Sequence, residues 1–192
     1  MAPFFASAEL AYPPARFALV GLKSEKRLEL YAADPEGPFK FIKLYPVLAA
    51  SGRLGPKLKE GDRQVPEGLY RIESLNPNSR YHLALRLDYP NADDRQQASA
   101  DGRTGIGSDI MIHGRDASIG CLAMGDPAAE ELFVLAADVG WSEAQVVLAP
   151  VDLRRTELPP DLVRTAWAES LYAKVKSALS QYPIPAAERL PN

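Results

Sequence analysis

The sequence predicts a mainly β fold with flanking helices, on three observations. Period-two runs recur along the first two thirds of the chain, with Leu28, Leu30 and Ala32 alternating in 26–33, and Tyr81, Leu83, Leu85 and Leu87 opposing His82, Ala84 and Arg86. Turn-forming clusters such as Asp34-Pro-Glu-Gly-Pro and Asn76-Pro-Asn-Ser separate them. Helical spacing is confined to two places, after Asp126 and after Pro159-Pro160-Asp161. With 192 residues, 46% of them apolar and 24% charged, the chain is long enough for one domain burying roughly 70% of its unfolded surface.

Taken in order, residues 1–16 form an N-terminal segment with prolines at 3, 13 and 14 and no positive charge before Arg16. A secretory leader would open on basic residues, so the chain either stays in the cytoplasm or is numbered after a removed signal. An apolar run at 17–21 and the alternation of 26–33 and 39–49 predict the opening strands. Residues 51–67 are rich in glycine, lysine and charge and predict a loop; 68–75 reads as a strand, 76–79 as a turn and 81–87 as another strand. The stretch 88–108, full of Asp, Gly and Arg, is longer than ordinary connections and predicts a functional or mobile loop. Residues 109–114 form a short apolar strand delivering His113. A helix follows with Asp126 as its cap and Pro127 at its first position, ending near Gly140. A strand at 144–149 comes next. Val163, Trp167, Leu171, Val175, Ala178 and Tyr182 then predict a long C-terminal amphipathic helix of about twenty residues. The expected organisation is a core unit at 17–150, a helical extension at 151–182 packed on it, and a poorly ordered tail at 183–192.

Composition removes several functions. Twenty-two basic against 25 acidic residues give a net charge of −3, so no general positive field exists to hold nucleic acid or an anionic membrane. No run approaches the eighteen apolar residues of a membrane span. One cysteine precludes a disulfide framework, and with two histidines leaves too few ligands for most structural zinc sites; His113, Asp116 and Cys121 lack a fourth partner.

The chemistry concentrates in Ile112-His113-Gly114-Arg115-Asp116-Ala117-Ser118-Ile119-Gly120-Cys121-Leu122-Ala123-Met124-Gly125-Asp126. Here one of two histidines and the only cysteine stand eight positions apart between glycines. Nucleophilic cysteine chemistry needs a thiolate, a base beside it and N–H donors for an oxyanion. Cys121 and His113 fit the first two roles, and the Gly120 and Cys121 amides the third. The Gly114 carbonyl and the Asp116 carboxylate compete to orient the imidazole. The bland alternative is a buried small cysteine beside a packing histidine.

This segment resembles the active-site signature of the L,D-transpeptidase (YkuD-type) family, and most closely its YafK-like branch. The matching residues are His113-Gly114, Ser118-Ile119-Gly120-Cys121, Ala123-Met124 and Asp126. Supporting matches are Lys26-Arg27-Leu28-Glu29-Leu30-Tyr31, Gly61-Asp62, Pro66-Glu67-Gly68-Leu69-Tyr70, Asn76-Pro77-Asn78-Ser79 and Tyr89-Pro90-Asn91-Ala92-Asp93, in family order over about residues 17–150. The resemblance implies a YkuD-type β-sandwich, Cys121 as nucleophile on peptidoglycan stem peptides, His113 as its activator and Gly114 as orienter. It implies pocket roles for Ser118, Ile119 and Gly120, and requires no cofactor or metal. Tyr81, His82, Tyr89, Arg103 and Arg115 are candidate groove residues. Arg53 and Lys57 are further candidates for the carboxylates of a wall peptide, and Asp93, Asp94 and Asp101 read as solvated surface.

Two departures bear on the reaction. Ile119 replaces the second histidine of the larger family, and Ala123 stands where arginine is common. Both agree with the YafK-like branch, which resembles enzymes hydrolysing a diaminopimelate-linked bond to release a wall-linked lipoprotein. The alternatives are cross-link formation or lipoprotein attachment, a non-catalytic wall-binding domain, and a secreted antibacterial effector. The expected location is periplasmic or otherwise extracytoplasmic; the oligomeric state is not encoded in these motifs.

Overall fold

A computed structural model describes residues 1–186. After helix α1 (Ala2–Ser7), strands β1 (Arg16–Leu22), β2 (Arg27–Ala33) and β3 (Lys40–Pro46) form an antiparallel meander. The long strand β4 (Gly68–Ser79) turns back into β5 (His82–Leu87), and helix α2 (Ala92–Ala100) leads to the short strands β6 (Met111–His113) and β7 (Leu122–Ala123). Helix α3 (Asp126–Val139), strand β8 (Gln145–Ala149), a single 3-10 turn at Pro160–Leu162 and helix α4 (Ala168–Leu179) complete the described chain.

The strands make one mixed sheet of eight, ordered β3-β2-β1-β8-β4-β5-β6-β7, in place of the expected β-sandwich. The late strand β8 is the reason. It inserts parallel to β1 and antiparallel to β4 and joins what would otherwise be two sheets. The outer edges also meet, because Ala49, just beyond β3, exchanges backbone hydrogen bonds with Ala123 of β7 at 2.9 and 3.3 Å. An unpaired edge is thereby removed beside the catalytic candidates.

Strand alternation sorts the core into two clusters. Phe17, Leu19, Leu28, Leu30, Val146 and Leu148 join Leu85, Ile112 and Leu122, with Phe5 of α1 and Leu132 and Leu135 of α3. On the opposite face Ala18, Val20, Leu22, Tyr31, Val147 and Ala149 receive Leu171, Tyr172, Val175 and Leu179 of α4. Buried apolar side chains are thus shared between two faces of the same strands, and α3 and α4 dock where the parity predicts.

The C-terminal helix is shorter than expected, at twelve residues. Val163 is exposed in irregular chain, and Trp167 sits at the N-cap. There the Trp167 indole N–H donates to Asp101 at 2.7 Å and its ring lies under Arg103, so tertiary pairing diverts the chain that helical spacing would have wound. Tyr182 lies beyond the helix yet is buried, packed on Tyr31 and Phe39, and the Pro183 carbonyl accepts from Tyr31 at 2.9 Å. The rest of the expected tail, from residue 187, lies outside the described residues.

The remaining differences are local. Helix α2 occupies the stretch expected to be loop; its only buried side chain is Ala98, so it shows no apolar stripe, and an Asn91–Asp94 capping box starts it. Asp94 is not solvated surface. It accepts from Tyr70 at 3.1 Å, and burial pushes its carboxyl up to about 6. Asp93 pairs with Lys174, and Asp101 with Arg103. Strand β4 runs through the expected 76–79 turn, moving the hairpin tip to Ser79–His82, where His82 takes φ 71°. Gly125, not Asp126, caps α3, and Asp126 is its first helical residue.

A buried polar knot pins the 51–67 loop beneath α4. The Glu67 side chain is fully buried; it accepts from Lys23 at 2.7 Å, from the Gly55 amide at 2.7 Å and from the Tyr172 hydroxyl at 2.7 Å. Burial pulls the Lys23 ammonium down against the opposing pull of Glu67. Removing Glu67 leaves the Lys23 cation with only the Gly55 and Val65 carbonyls and no counter-charge, and two donors without this acceptor. We therefore expect Glu67→Ala to cost about 3–5 kcal/mol, and Tyr172→Phe only about 1 kcal/mol, in urea unfolding. Equal losses would show that the knot contributes packing rather than charge compensation.

Candidate active site

Parallel pairing of β6 with β7 brings the two signature residues into one neighbourhood. His113 registers with Ala123 and Ile112 with Leu122, and the register carried one step further sets Cys121 beside Met111. His113 and Cys121 thus lie one diagonal apart on adjacent strands, a Cα spacing of about 8 Å from strand rise and separation.

The imidazole is fixed from two sides. Its Nδ1 lies 2.6 Å from the Gly114 carbonyl oxygen. A carbonyl only accepts, so Nδ1 carries the proton and Nε2 keeps its lone pair. The Tyr81 ring covers His113 at a centroid distance of 4.6 Å and stays 43% exposed, whereas His113 is 2% exposed. Burial pulls the imidazole pKa below its usual 6.5, partly offset by the Gly114 bond, so the ring is neutral at pH 7. Asp116 is exposed, and of the two candidate orienters it is Gly114 that contacts the ring.

Gly114 has no alternative at its position. A Cβ there would stand 2.6 Å from Asp126 Oδ1, 2.8 Å from the Tyr81 carbonyl and 3.0 Å from His82 Cβ. Asp126, read from sequence as a helix cap, instead accepts the Arg115 amide at 2.7 Å and so ties the turn to the start of α3.

Cys121 is half-buried. Its thiol points at the Asp109 carbonyl, 3.5 Å away, rather than hydrogen-bonding to His113. Burial pushes the thiol pKa up and the charge of Asp109 adds to this, while the Met111 amide and Lys57 pull it back. The free site therefore holds a neutral thiol next to a neutral imidazole, not a preformed ion pair.

Both amides expected to stabilise an oxyanion are engaged. The Cys121 N–H donates to Ser118 Oγ at 2.9 Å, and that hydroxyl donates to the Cys121 carbonyl at 2.6 Å. The Gly120 N–H donates to Ser51 Oγ at 2.7 Å, and Ser51 donates to the Arg63 carbonyl at 2.7 Å. Ser51 escaped sequence reasoning because it lies far from Cys121 along the chain, in a segment read only as loop, and Asp109 and Met111 because they act through backbone groups of a segment read only as the strand delivering His113.

The groove candidates separate. Tyr81 is at the imidazole, and Ile119, 73% exposed, stands at the rim of the turn. His82 pairs with Glu130 of α3 at 2.8 Å. Tyr89 is not a groove residue: it is buried edge-on to Tyr70, with its hydroxyl on the Ile106 carbonyl at 2.8 Å. Arg115 places its backbone, not its guanidinium, in the site's hydrogen bonding, at φ 58°. Lys57 is tied to Asp62 at 2.6 Å. Arg53 and Arg103 line a separate cavity with the 161–165 segment. Among the described residues no cluster of three His, Cys, Asp or Glu side chains is arranged for a metal, and no helix is long and apolar enough to cross a membrane.

Comparison with known proteins gives a consistent picture. The family model described as the L,D-transpeptidase catalytic domain, YkuD, matches residues 17–148. A curated Escherichia coli protein provisionally named L,D-transpeptidase YafK is 38% identical over 113 residues, covering 58% of this chain and 43% of the relative. The match thus spans less than half the length of that relative. Among solved structures, the helical cell shape determining protein Pgp2 from Campylobacter jejuni aligns with TM-score 0.57 and 19% identity, over 94% of this chain and 77% of that one. Bd1075 from Bdellovibrio bacteriovorus aligns with TM-score 0.53 and 18% identity, over 89% and 56%. At these identities the two structures speak for the fold alone.

The raised thiol pKa sets an expectation for labelling. Alkylation of Cys121 by iodoacetamide should be slow at pH 7 and climb about tenfold per pH unit to beyond pH 9, following the thiolate fraction. A rate already at its plateau near pH 7 would mean that the free enzyme holds the thiolate–imidazolium pair.

Proposed function

Because the chain belongs to the L,D-transpeptidase catalytic domain family, we propose that it is a cysteine acyl-transfer enzyme hydrolysing or exchanging a diaminopimelate-linked bond in peptidoglycan peptides. The observation that carries this reading is the Nδ1–Gly114 bond at 2.6 Å, which commits one imidazole nitrogen and leaves Nε2 as a neutral base on the strand next to Cys121. In the reaction Nε2 takes the thiol proton as the sulfur attacks the peptide carbonyl carbon. The leaving amine then receives that proton from the imidazolium, and the acyl group stays on Cys121 as a thioester. Water completes hydrolysis with a carboxylate product; an amine completes exchange with a new amide.

Substrate must do two things to the resting site. It must turn the thiol away from Asp109, and it must draw the Cys121 or Gly120 amide from its serine hydroxyl towards the developing oxyanion. Hydrolysis is preferred to cross-linking on the short, YafK-like spacing of His113 and Cys121, with which Ile119 in place of the larger family's second imidazole agrees. The location that serves this substrate is extracytoplasmic, and release of a wall-linked lipoprotein is the YafK-like form of the same chemistry.

A second reading, a non-catalytic wall-binding domain, is favoured by one observation: both amides and the thiol are satisfied by protein groups at rest. Purified peptidoglycan, in lipoprotein-linked and free muropeptide forms, distinguishes the readings by mass spectrometry. Wild type should remove a diaminopimelate-linked group, Cys121→Ala should do nothing, and His113→Ala should lose about 100- to 10,000-fold in rate. Cross-links absent in the mutant would establish transpeptidation instead; an inert wild type that still binds the wall would establish the binding domain.

The pH profile follows from His113. Its depressed pKa means the imidazole protonates only below 6.5, so kcat/KM should hold down to that pH and fall in more acid solution. An acid limb centred above 7 would show that another group supplies the base.

A further inference from the structure

Loop 52–64, Thr104 and the 161–165 segment enclose a cavity of about 850 Å³ that contains neither Cys121 nor His113. This is the size of a small-ligand or short-peptide site. Leu54, Leu58 and Leu162 provide apolar wall. The charges around it do not cancel. Asp62 is consumed by Lys57 and by the amides of Leu58, Lys59 and Gln64. Arg164 is matched by Asp161 and Arg103 by Asp101. Arg53 and Lys59 line the same cavity, and their side chains have no acidic partner among the described residues. Thr165 adds a second kind of evidence: the residue lines the cavity, and its Oγ1, shielded from water, has no hydrogen-bond partner among the described residues. A buried hydroxyl without a partner is destabilising, and a turn of the Thr165 side chain towards a ligand in the cavity would satisfy it.

We propose that this cavity binds a carboxylate-bearing peptide segment, with Arg53 and Lys59 holding its carboxylates and the Thr165 hydroxyl bonding a polar atom of its backbone. The aliphatic part of the segment lies on Leu54 and Leu162. Only the identity of the peptide, a wall stem peptide, rests on the proposed function. Position supports the assignment. Gly52 and Gln64 line the cavity, and the adjoining Ser51 hydroxyl holds the Gly120 amide at 2.7 Å. The Gln64 carbonyl stands 3.4 Å from where a Cβ on Gly120 would be. One strap of chain is therefore shared by the cavity and the nucleophile turn, and a peptide anchored in the cavity is read next to the thiol.

The test uses the full chain carrying Cys121→Ala and a soluble diaminopimelate-containing tripeptide, with free carboxylates or with all of them amidated. Amide NMR shifts should cluster at Gly52, Leu58, Thr104 and Thr165. Adding Arg53→Ala and Lys59→Ala together should raise Kd about tenfold or more, while Arg53→Lys with Lys59→Arg should stay within about twofold. Amidation of the peptide should reproduce the loss. Thr165→Val should weaken binding without lowering the thermal midpoint, since it removes a group that has no partner at rest. Shifts confined to Met111–Met124, or a Kd unchanged in the double alanine variant, would overturn the assignment. Wall turnover by the otherwise wild-type enzyme separates the two readings. Turnover with KM and Kd indifferent to the double variant sinks the cavity and leaves the enzyme standing; no turnover with charge-dependent tripeptide binding does the reverse.

Discussion

Ala123 is where the sheet closes on itself. Its amide donates to the Ala49 carbonyl at 2.9 Å, and its own carbonyl accepts from Leu48 and Ala49. A two-residue strand such as β7 has little stability of its own. Held between β6 on one side and residue 49 on the other, it acquires a full set of backbone partners, and Cys121 immediately before it inherits a defined place. The same pairing fixes the register that sets His113 beside Ala123. Losing that closure would loosen the strand that follows Cys121, whereas β5 would still hold His113 through its pairing with Ala84.

Glycine and hydroxyl groups then set the details of the turn. Gly114 is demanded by three neighbours that leave no room for a Cβ, and its carbonyl, brought close by the same crowding, selects the imidazole tautomer. Ser51 and Ser118 occupy the amides of Gly120 and Cys121 and prevent unanswered N–H groups in a half-buried turn. A resting site built this way is stable but not poised. Its thiol and imidazole are both neutral, each for the same physical reason, that burial penalises the charged form. In the acyl transfer proposed above, proton transfer from thiol to imidazole would become favourable as substrate displaces these internal partners, converting binding energy into activation at the turn.

How much of this was legible in the sequence depends on the range of the interaction. The strand at 16–22 followed from an apolar run, those at 27–33 and 40–46 from alternation, and α3 from its proline start and glycine stop, because each signal is local. The short His113–Cys121 spacing was legible because both ends of the turn lie in one segment. By contrast α2 has no apolar face to betray it, and α4 begins late because Trp167 answers to Asp101 and Arg103, sixty-odd residues away. The single continuous sheet was hidden for the same reason, since β8 enters between strands written more than sixty residues earlier. Ser51, 69 residues from the amide it binds, carries no mark in the sequence that separates it from any other loop serine.

The same distinction explains why the charged residues were the hardest to read. Arg53, Lys57, Arg103 and Arg115 are alike in the sequence, four cations in polar loops. Folding gives them different fates: Lys57 is neutralised by Asp62, Arg103 is matched by Asp101 and stacked on Trp167, and Arg115 contributes its amide. Arg53 keeps an unmatched charge, and it does so together with Lys59, which the sequence did not single out, in a hollow lined also by Thr165, whose buried hydroxyl is unsatisfied. Recognition capacity is what remains after internal pairing is subtracted, and only the folded chain performs that subtraction. On this argument the strap 51–64 has two jobs that constrain each other. Its inner side must satisfy Gly120 through Ser51, and its outer residues must stay unsatisfied enough to bind.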